Sequence, residues 1–357
     1  MRNRFISQIR SAAVTAFALI SLTAAPGKAQ TAKPAAKSGI PRMPEGHPDL
    51  QGIYDPSTMT TLERLPGDPP VLTKERAEEI QKAEMARRNT DGGKLDPNRP
   101  RLPVGGDTSP ATSYYDAIER AAGGAVGGFD RLWFNEGTSY TVVDGQIRTS
   151  IVIDPPNGRV PPFNAAGQKR NPRGRPAALA AGAGEYDSAK QRPIWERCLL
   201  RNAGPPAIPD LFYNDLHQIV QTPDAIMILT EMMHDARTVR MNAQHLDKKI
   251  RLWMGDSVGR WEGDTLVIDT TNFNDKTRFR GSSENLHVVE RLTRDDKGLL
   301  YHFTVEDPET WDRPWTGEMT WVATNEQIFE YACHEGNYAL PDILKGARKA
   351  EADSAKQ

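Results

Sequence analysis

From Arg131 onward the apolar residues of this chain recur at every second position, in short runs cut by turn signals. A period of two is the spacing of a strand with one buried face; a helix would bring its buried stripe back every three or four residues. RLWFNEG is followed by TSYTVV-DG-QIRTSIVIDPPNG, where Asp144-Gly145 reads as a hairpin turn and Pro156 to Gly158 as a second turn. Residues 163–192 are rich in Gly, Ala and Arg, with a short helix expected near Pro176 to Ala181. After them come LHQIVQ, AIMILTE, RTVRM, TLVIDTTNF, LHVVERLTR, LLYHFTVED, EMTWVA and IFEYACH, eight strand candidates separated by turns. Such punctuation predicts a mainly β fold, an antiparallel sandwich or barrel, over residues 131–345.

One hairpin can be placed in register. With Asp295 to Gly298 as its loop, Arg294 faces Leu299, Arg291 faces His302, Val289 faces Thr304 and His287 faces Glu306. The opposite face carries Val288, Leu292, Tyr301, Phe303 and Val305, interrupted by a single carboxylate, Glu290. Ahead of the strands, residues 30–130 form a loop-rich extension with one helix expected, Thr73 as its N-cap and Ala77, Ile80 and Ala83 or Met85 at helical spacing. Residues 346–357 read as a flexible tail.

The first thirty residues place Arg2, Arg4 and Arg10 before an apolar run from Ala12 to Ala25 and a small-x-small step at Gly27 and Ala29, the pattern of a secretory signal peptide cleaved near Ala29. No consecutive arginine pair precedes the run, which favours general secretion over twin-arginine export and makes a cofactor loaded in the cytoplasm less expected. Cleavage would remove Arg2, Arg4, Arg10 and Lys28 and no carboxylate, taking the formal charge from -2 to -6. An acidic chain lacks the electrostatic footprint of a nucleic-acid binder. No stretch approaches the length of a membrane-spanning helix. The chain has two cysteines, and in an oxidising compartment Cys198 and Cys333 are expected to pair with each other.

Several motifs carry chemistry, each beside a plainer reading. GDSVG, Gly255 to Gly259, fits a nucleophile elbow with Ser257 at its tip, but that elbow needs a helix after it and a strand candidate follows, so an inter-strand turn is the better reading. His217, His234, His287, His302 and His334 show no metal-ligand spacing; a metal site would have to be assembled across strands, and no metal is assigned. Glu231, His234, Arg237 and Arg240, with His217, form the densest polar set beside apolar strands. They suit proton transfer near an anion held by Arg237, or else make a solvated hairpin end. Glu290 is either a desolvated acid or half of a buried ion pair.

Trp253, Trp315 and Trp321 could stack on a ring-bearing ligand or fill a core. The glycine-rich AAGGAVGG, Ala121 to Gly128, lacks the lysine of a phosphate loop, and KRNPRGR, Lys169 to Arg175, reads as a solvated basic loop. In EYACHEGN, alternation sets Cys333 with Phe329 and Tyr331 on one strand face, and Glu330 with His334 on the other.

HPDLQGIYDPSTMTTLERLP, ERCLLRNAGPP, YNDLHQIVQTPD, MGDSVGRWEGDTLVIDTTNFNDKT, SSENLHVVERL, FTVEDPETWDRPWT and EYACHEGNY together resemble a large family of exported bacterial proteins. The resemblance spans nearly the whole mature chain. It implies export and a lipocalin-like antiparallel barrel, and it brings no catalytic residues with it. Taken with the residues themselves, it leads to an expected function: a periplasmic enzyme performing metal-independent acid/base chemistry, lyase or isomerase in type, on a small and partly apolar or aromatic substrate. His217, Glu231, His234, Arg237, His287 and Glu290 are the expected catalytic set. Arg240, Trp253, Arg291, His302, Trp315, Trp321, Glu330 and His334 are the expected substrate contacts, and no cofactor is assigned. The alternatives are a noncatalytic small-ligand carrier and a metal-assisted hydrolase.

Overall fold

The computed structural model describes residues 39–91, 137–171, 184, 186–200, 204–208, 214–276 and 279–356. The expected signal peptide, RLWFNEG up to residue 136, AAGGAVGG and the helix expected near residues 176–181 lie outside them.

The chain opens with β1 (Gly52–Asp55), β2 (Val71–Leu72) and helix α1 (Lys74–Asp91). Thr73 caps α1 by accepting the Arg76 amide at 3.2 Å, as the sequence indicates. Next come β3 (Val142–Val143), β4 (Gln146–Arg148) and β5 (Val152–Asp154), then the short helix α2 (Ala165–Arg170). β3 and β4 meet through Asp144 and Gly145, both in the left-handed region at φ 50 and 73, which is the backbone a two-residue hairpin turn demands.

The main body comprises β6 (His217–Gln221), β7 (Ala225–Thr230), β8 (Asp235–Met241), β9 (Asp256–Glu262), β10 (Thr265–Thr271), β11 (His287–Arg294), β12 (Gly298–Glu306) and β13 (Trp315–Thr324). These run side by side, and β1 joins β6 to β13, so that nine strands close a barrel, with β5 added to one end of β13. A ring of nine cannot alternate direction all the way round: an odd number of neighbours forces at least one parallel pair. That pair is β8 with β9, in register at Val239↔Ser257, Arg240↔Val258 and Met241↔Gly259. The barrel is therefore mixed, and the purely antiparallel expectation is corrected. Residues 242–255 supply the dozen or so residues a parallel connection needs, where the sequence had suggested an ordinary turn around Gly255.

The β11–β12 register matches the one read from sequence, including Arg291↔His302 and His287↔Glu306. Inward residues fill the barrel in tiers: Ile268, Glu290, Phe303 and Gly317 are cross-strand neighbours. Gly317 is there because a Cβ would stand 2.2 Å from Cζ of Phe303, so the ring occupies the room of the missing side chain. Trp311, Trp315 and Trp321 are all buried. Trp315 packs edge-on to Phe303 at 5.8 Å and Trp321 stacks on Tyr301 at 4.5 Å, so these indoles belong to the core.

IFEYACH does not form the eighth strand of that series: residues 325–338 are irregular and turn-rich. Both flanks of β13 are taken, by β12 on one side and by β1 and β5 on the other, so the closed sheet offers no edge for it. The segment is instead tied down by the disulfide Cys198–Cys333, which spans 135 residues. A helix, α3 (Ala339–Ser354), follows, covering most of the stretch expected as a tail. Among the described residues no helix is long and apolar enough to cross a membrane.

Candidate functional site

One end of the barrel carries a small cleft, partly open to solvent, with a cavity volume of about 60 Å³. His217, Ile228, Thr230, Asp235 and Arg237 reach it from β6, β7 and β8, with Asp215 and Met232 on the flanking segments. Met254 and the segment Gly204–Ile208 form its far wall. That segment is fastened to the barrel interior by the Ala207 amide, which donates to the Tyr301 hydroxyl at 2.8 Å.

Behind the cleft lies a closed polar network. The Arg237 guanidinium grips Glu290 with both ends of its fork, at 2.5 and 2.9 Å, and Tyr301 donates its hydroxyl to the same carboxylate at 2.7 Å. Arg237 is 6 % exposed and Glu290 0 %. Charges this deep persist only when paired and hydrogen-bonded, which this bidentate geometry achieves. Burial, and then the neighbouring Glu290 carboxylate, pushes the Tyr301 phenol well above its ordinary pKa. Ser257, the would-be elbow nucleophile, sits inside β9, its hydroxyl 2.9 Å from that of Thr270 on β10. It is a strand residue within the wall.

His217 is buried, its Nδ1 3.0 Å from the Thr230 hydroxyl, with its ring tilted over Trp321 at a centroid distance of 4.5 Å. Burial, reinforced by the Arg237 charge, lowers its pKa to about 3. The ring is a neutral hydrogen-bonding group at any physiological pH.

The other residues singled out by sequence disperse. Glu231 is buried and accepts the Phe329 amide at 2.8 Å, and His234 Nε2 accepts the Tyr331 amide at 2.9 Å. The two side chains clamp the irregular segment 325–338 to the turn between β7 and β8. Glu330 and His334, which alternation had set on one strand face, lie exposed on that segment. Trp315 and Trp321 are core residues whose indole N–H groups have no hydrogen-bond partner among the described residues. Trp253 is exposed. Arg291 pairs with Glu262 at 2.8 Å on the outer surface, across from His302, whose pKa is lowered by partial burial and by Arg291.

A second cluster, which sequence inspection missed, lies on the outside. His287 Nε2 and His245 Nε2 both stand 3.1 Å from Oδ1 of Asp269, and His245 Nδ1 stands 3.0 Å from Asp256. Arg240 donates to the other oxygen of Asp256 at 2.8 Å. Asp269 and His287 share a sheet face by simple strand parity, the one signal available beforehand. His245, on a connection, carries no period to read. The hydrogen bond that His287 donates to Asp269 raises the His287 pKa, against partial burial, and the same bond lowers that of Asp269. Among the described residues no group of three or more His, Cys, Asp or Glu is arranged to hold a metal ion.

Fold and site together define a closed, mixed nine-stranded barrel with a small cleft at one end and its interior charges neutralised. No family model, no curated protein and no solved structure matches the chain.

Proposed function

We propose that this chain is an exported barrel that binds one small, partly apolar, neutral or cationic ligand in the end cleft, in the manner of a lipocalin-like carrier. The observation that carries this reading is the pairing of Arg237 with Glu290: the one cation among the described residues of the cleft lining is committed to a buried partner. Among the described lining residues no second guanidinium or ammonium stands ready to hold an anion. What remains for a ligand is apolar wall from Ile208, Ile228, Met232 and Met254, with the neutral imidazole of His217 for orientation. A mostly apolar cleft with a few placed polar groups is the usual form of a small-molecule site. Export is supported by the N-terminal arginines and apolar run and by the Cys198–Cys333 bond, which persists in oxidising compartments.

The second reading keeps the cleft and adds acid/base turnover of the lyase or isomerase type. It is favoured by one observation, that His217 shares the lining with two carboxylates. Against it, a ring whose conjugate acid has a pKa of about 3 is a feeble base.

A thermal-shift screen of neutral aromatic alcohols, aliphatic amines, terpenoids and aromatic acids, with product analysis of each hit, separates these readings. The carrier reading expects stabilisation by neutral or cationic compounds, unchanged compound after incubation, and loss of the shift in Ile228→Asp. Turnover abolished in His217→Gln would establish the enzyme instead. Stabilisation confined to the acids would sink the proposed ligand class.

A further inference from the structure

We infer that the β8–β9 connection is a docking surface for an anionic lipid bilayer. Residues 242–255 form the parallel crossover, and four large apolar side chains on it face solvent: Leu246 at 36 %, Ile250 at 46 %, Leu252 at 38 % and Trp253 at 43 % exposure. Exposed apolar side chains scattered singly are ordinary; four on one short connection mark a contact surface.

The exposure is enforced by the fold. His245 is fixed between Asp256 and Asp269. Asp247 accepts the Lys249 amide on its side chain and the Ile250 amide on its carbonyl, both at 2.8 Å, making a tight turn. Asn272 holds the Leu246 carbonyl at 3.0 Å, and its own carbonyl accepts the Leu252 amide at 2.9 Å. The backbone is thus locked to β9, β10 and the residues after β10, in a conformation that holds the apolar side chains outward.

Charge selects the occupant. Lys248, Lys249 and Arg251 alternate with the apolar residues, and the Lys276 ammonium sits 5.9 Å from the centre of the Trp253 ring. Against these stand the carboxylates Asp247 and Asp275, and Glu284, whose carbonyl accepts Arg251 at 2.7 Å; four cations against three carboxylates leave the patch slightly basic on a chain of formal charge -2. Basic side chains interleaved with Trp, Ile and Leu form the composition that seats at a headgroup boundary: cations at the phosphates, indole at the interface, aliphatic groups below it. Attraction confined to this patch would also orient the protein. Met254, next to Trp253, lines the cleft, so the seated face adjoins the ligand site. The inference does not depend on whether that cleft carries a ligand or turns one over.

The test is co-sedimentation of the full chain with vesicles of phosphatidylcholine alone or mixed equally with phosphatidylglycerol, beside Trp253→Ser, Ile250→Ser and the pair Lys248→Gln with Lys249→Gln. All variants share one N-terminus, so residues 1–29 contribute equally and the difference reads the loop. Expected are partitioning onto the anionic vesicles, a drop of more than about tenfold in Trp253→Ser, and a drop of about fivefold for each lysine removed, the equivalent of ~1 kcal/mol per charge. Circular dichroism and melting temperature should be unchanged, because the altered side chains are exposed. Equal partitioning of parent and variants, or equal binding to uncharged vesicles, overturns the inference. So does concentration-dependent dimerisation lost in Trp253→Ser, which would assign the patch to a second copy of the chain.

Discussion

His217 and His287 stand on two strands of one barrel, and their surroundings drive them in opposite directions. His217 faces inward among apolar side chains, where burial and then Arg237 hold it neutral down to about pH 3. His287 faces outward, where the hydrogen bond to Asp269 outweighs partial burial and, with help from Glu306, raises its pKa. The same contrast governs the carboxylates. Glu290, three residues from His287 on β11, falls on the inner face, where Arg237 and Tyr301 both hydrogen-bond its carboxylate. Asp269 is served at the surface by two imidazoles. Residue type does not set the electrostatic role here; the face of the strand does.

The contrast is broken most severely by removing half of the inner pair. Glu290→Leu leaves an uncompensated guanidinium in the barrel, and chemical denaturation should register a loss of about 3–5 kcal/mol. Replacing both partners, Arg237→Met with Glu290→Leu, should recover most of that loss, since two apolar side chains of similar size can fill the space. A single variant within about 1 kcal/mol of the parent would mean that water reaches the pair and that the interior is not dry.

Next in size is the acid limb of stability. The folded pKa of His217 is lowered from the ordinary 6.5 to about 3, so between those values the unfolded chain takes up a proton that the folded chain refuses. Its share of stability is complete above the unfolded value and falls as pH drops from 6.5 toward 3, at about 1.4 kcal/mol per pH unit. Denaturation curves across that range should be less steep in pH for His217→Gln than for the parent, by a few kcal/mol in total. An NMR titration placing His217 near 6.5 would erase the contrast between the two histidines.

Parity explains how much of this was legible in the sequence. Alternation on a strand fixes which residues share a face without any knowledge of the neighbours, so the β11–β12 register and the isolation of Glu290 on an apolar face could be read directly. Barrel closure could not. It depends on the count of strands, and an odd count imposed a parallel pair and denied IFEYACH an edge to join. The roles of Glu231 and His234 were hidden for the same reason: their partners are backbone amides of Phe329 and Tyr331, nearly a hundred residues away, and a main-chain donor leaves no mark on composition. The wall Gly204–Ile208 likewise carries no titratable group, and only its hydrogen bond to Tyr301 places it over the cleft.

The smallest effect tests the outer half of the contrast, and its sign is opposite. His287 has a folded pKa above its ordinary 6.5, so its stabilisation is fully present below 6.5 and is lost as pH rises through the folded value. Asp269 has a folded pKa below its ordinary 3.8, so its share is present above 3.8 and is lost as pH falls through that lower value. The pair is therefore at full strength between about 4 and 6.5, the window in which the His217 contribution is being eroded. Both side chains are partly exposed, at 37 % and 29 %, so solvent and salt screen them and the whole contribution should stay under about 1 kcal/mol. An NMR titration of His287 should give a midpoint above 6.5 in the parent, moved down in Asp269→Asn and drawn toward 6.5 by added salt. The inner histidine should respond to salt much less, because it is almost wholly buried and its shift comes first from burial. If both midpoints respond to salt alike, the barrel interior is open to ions, and burial is not what separates the two sites.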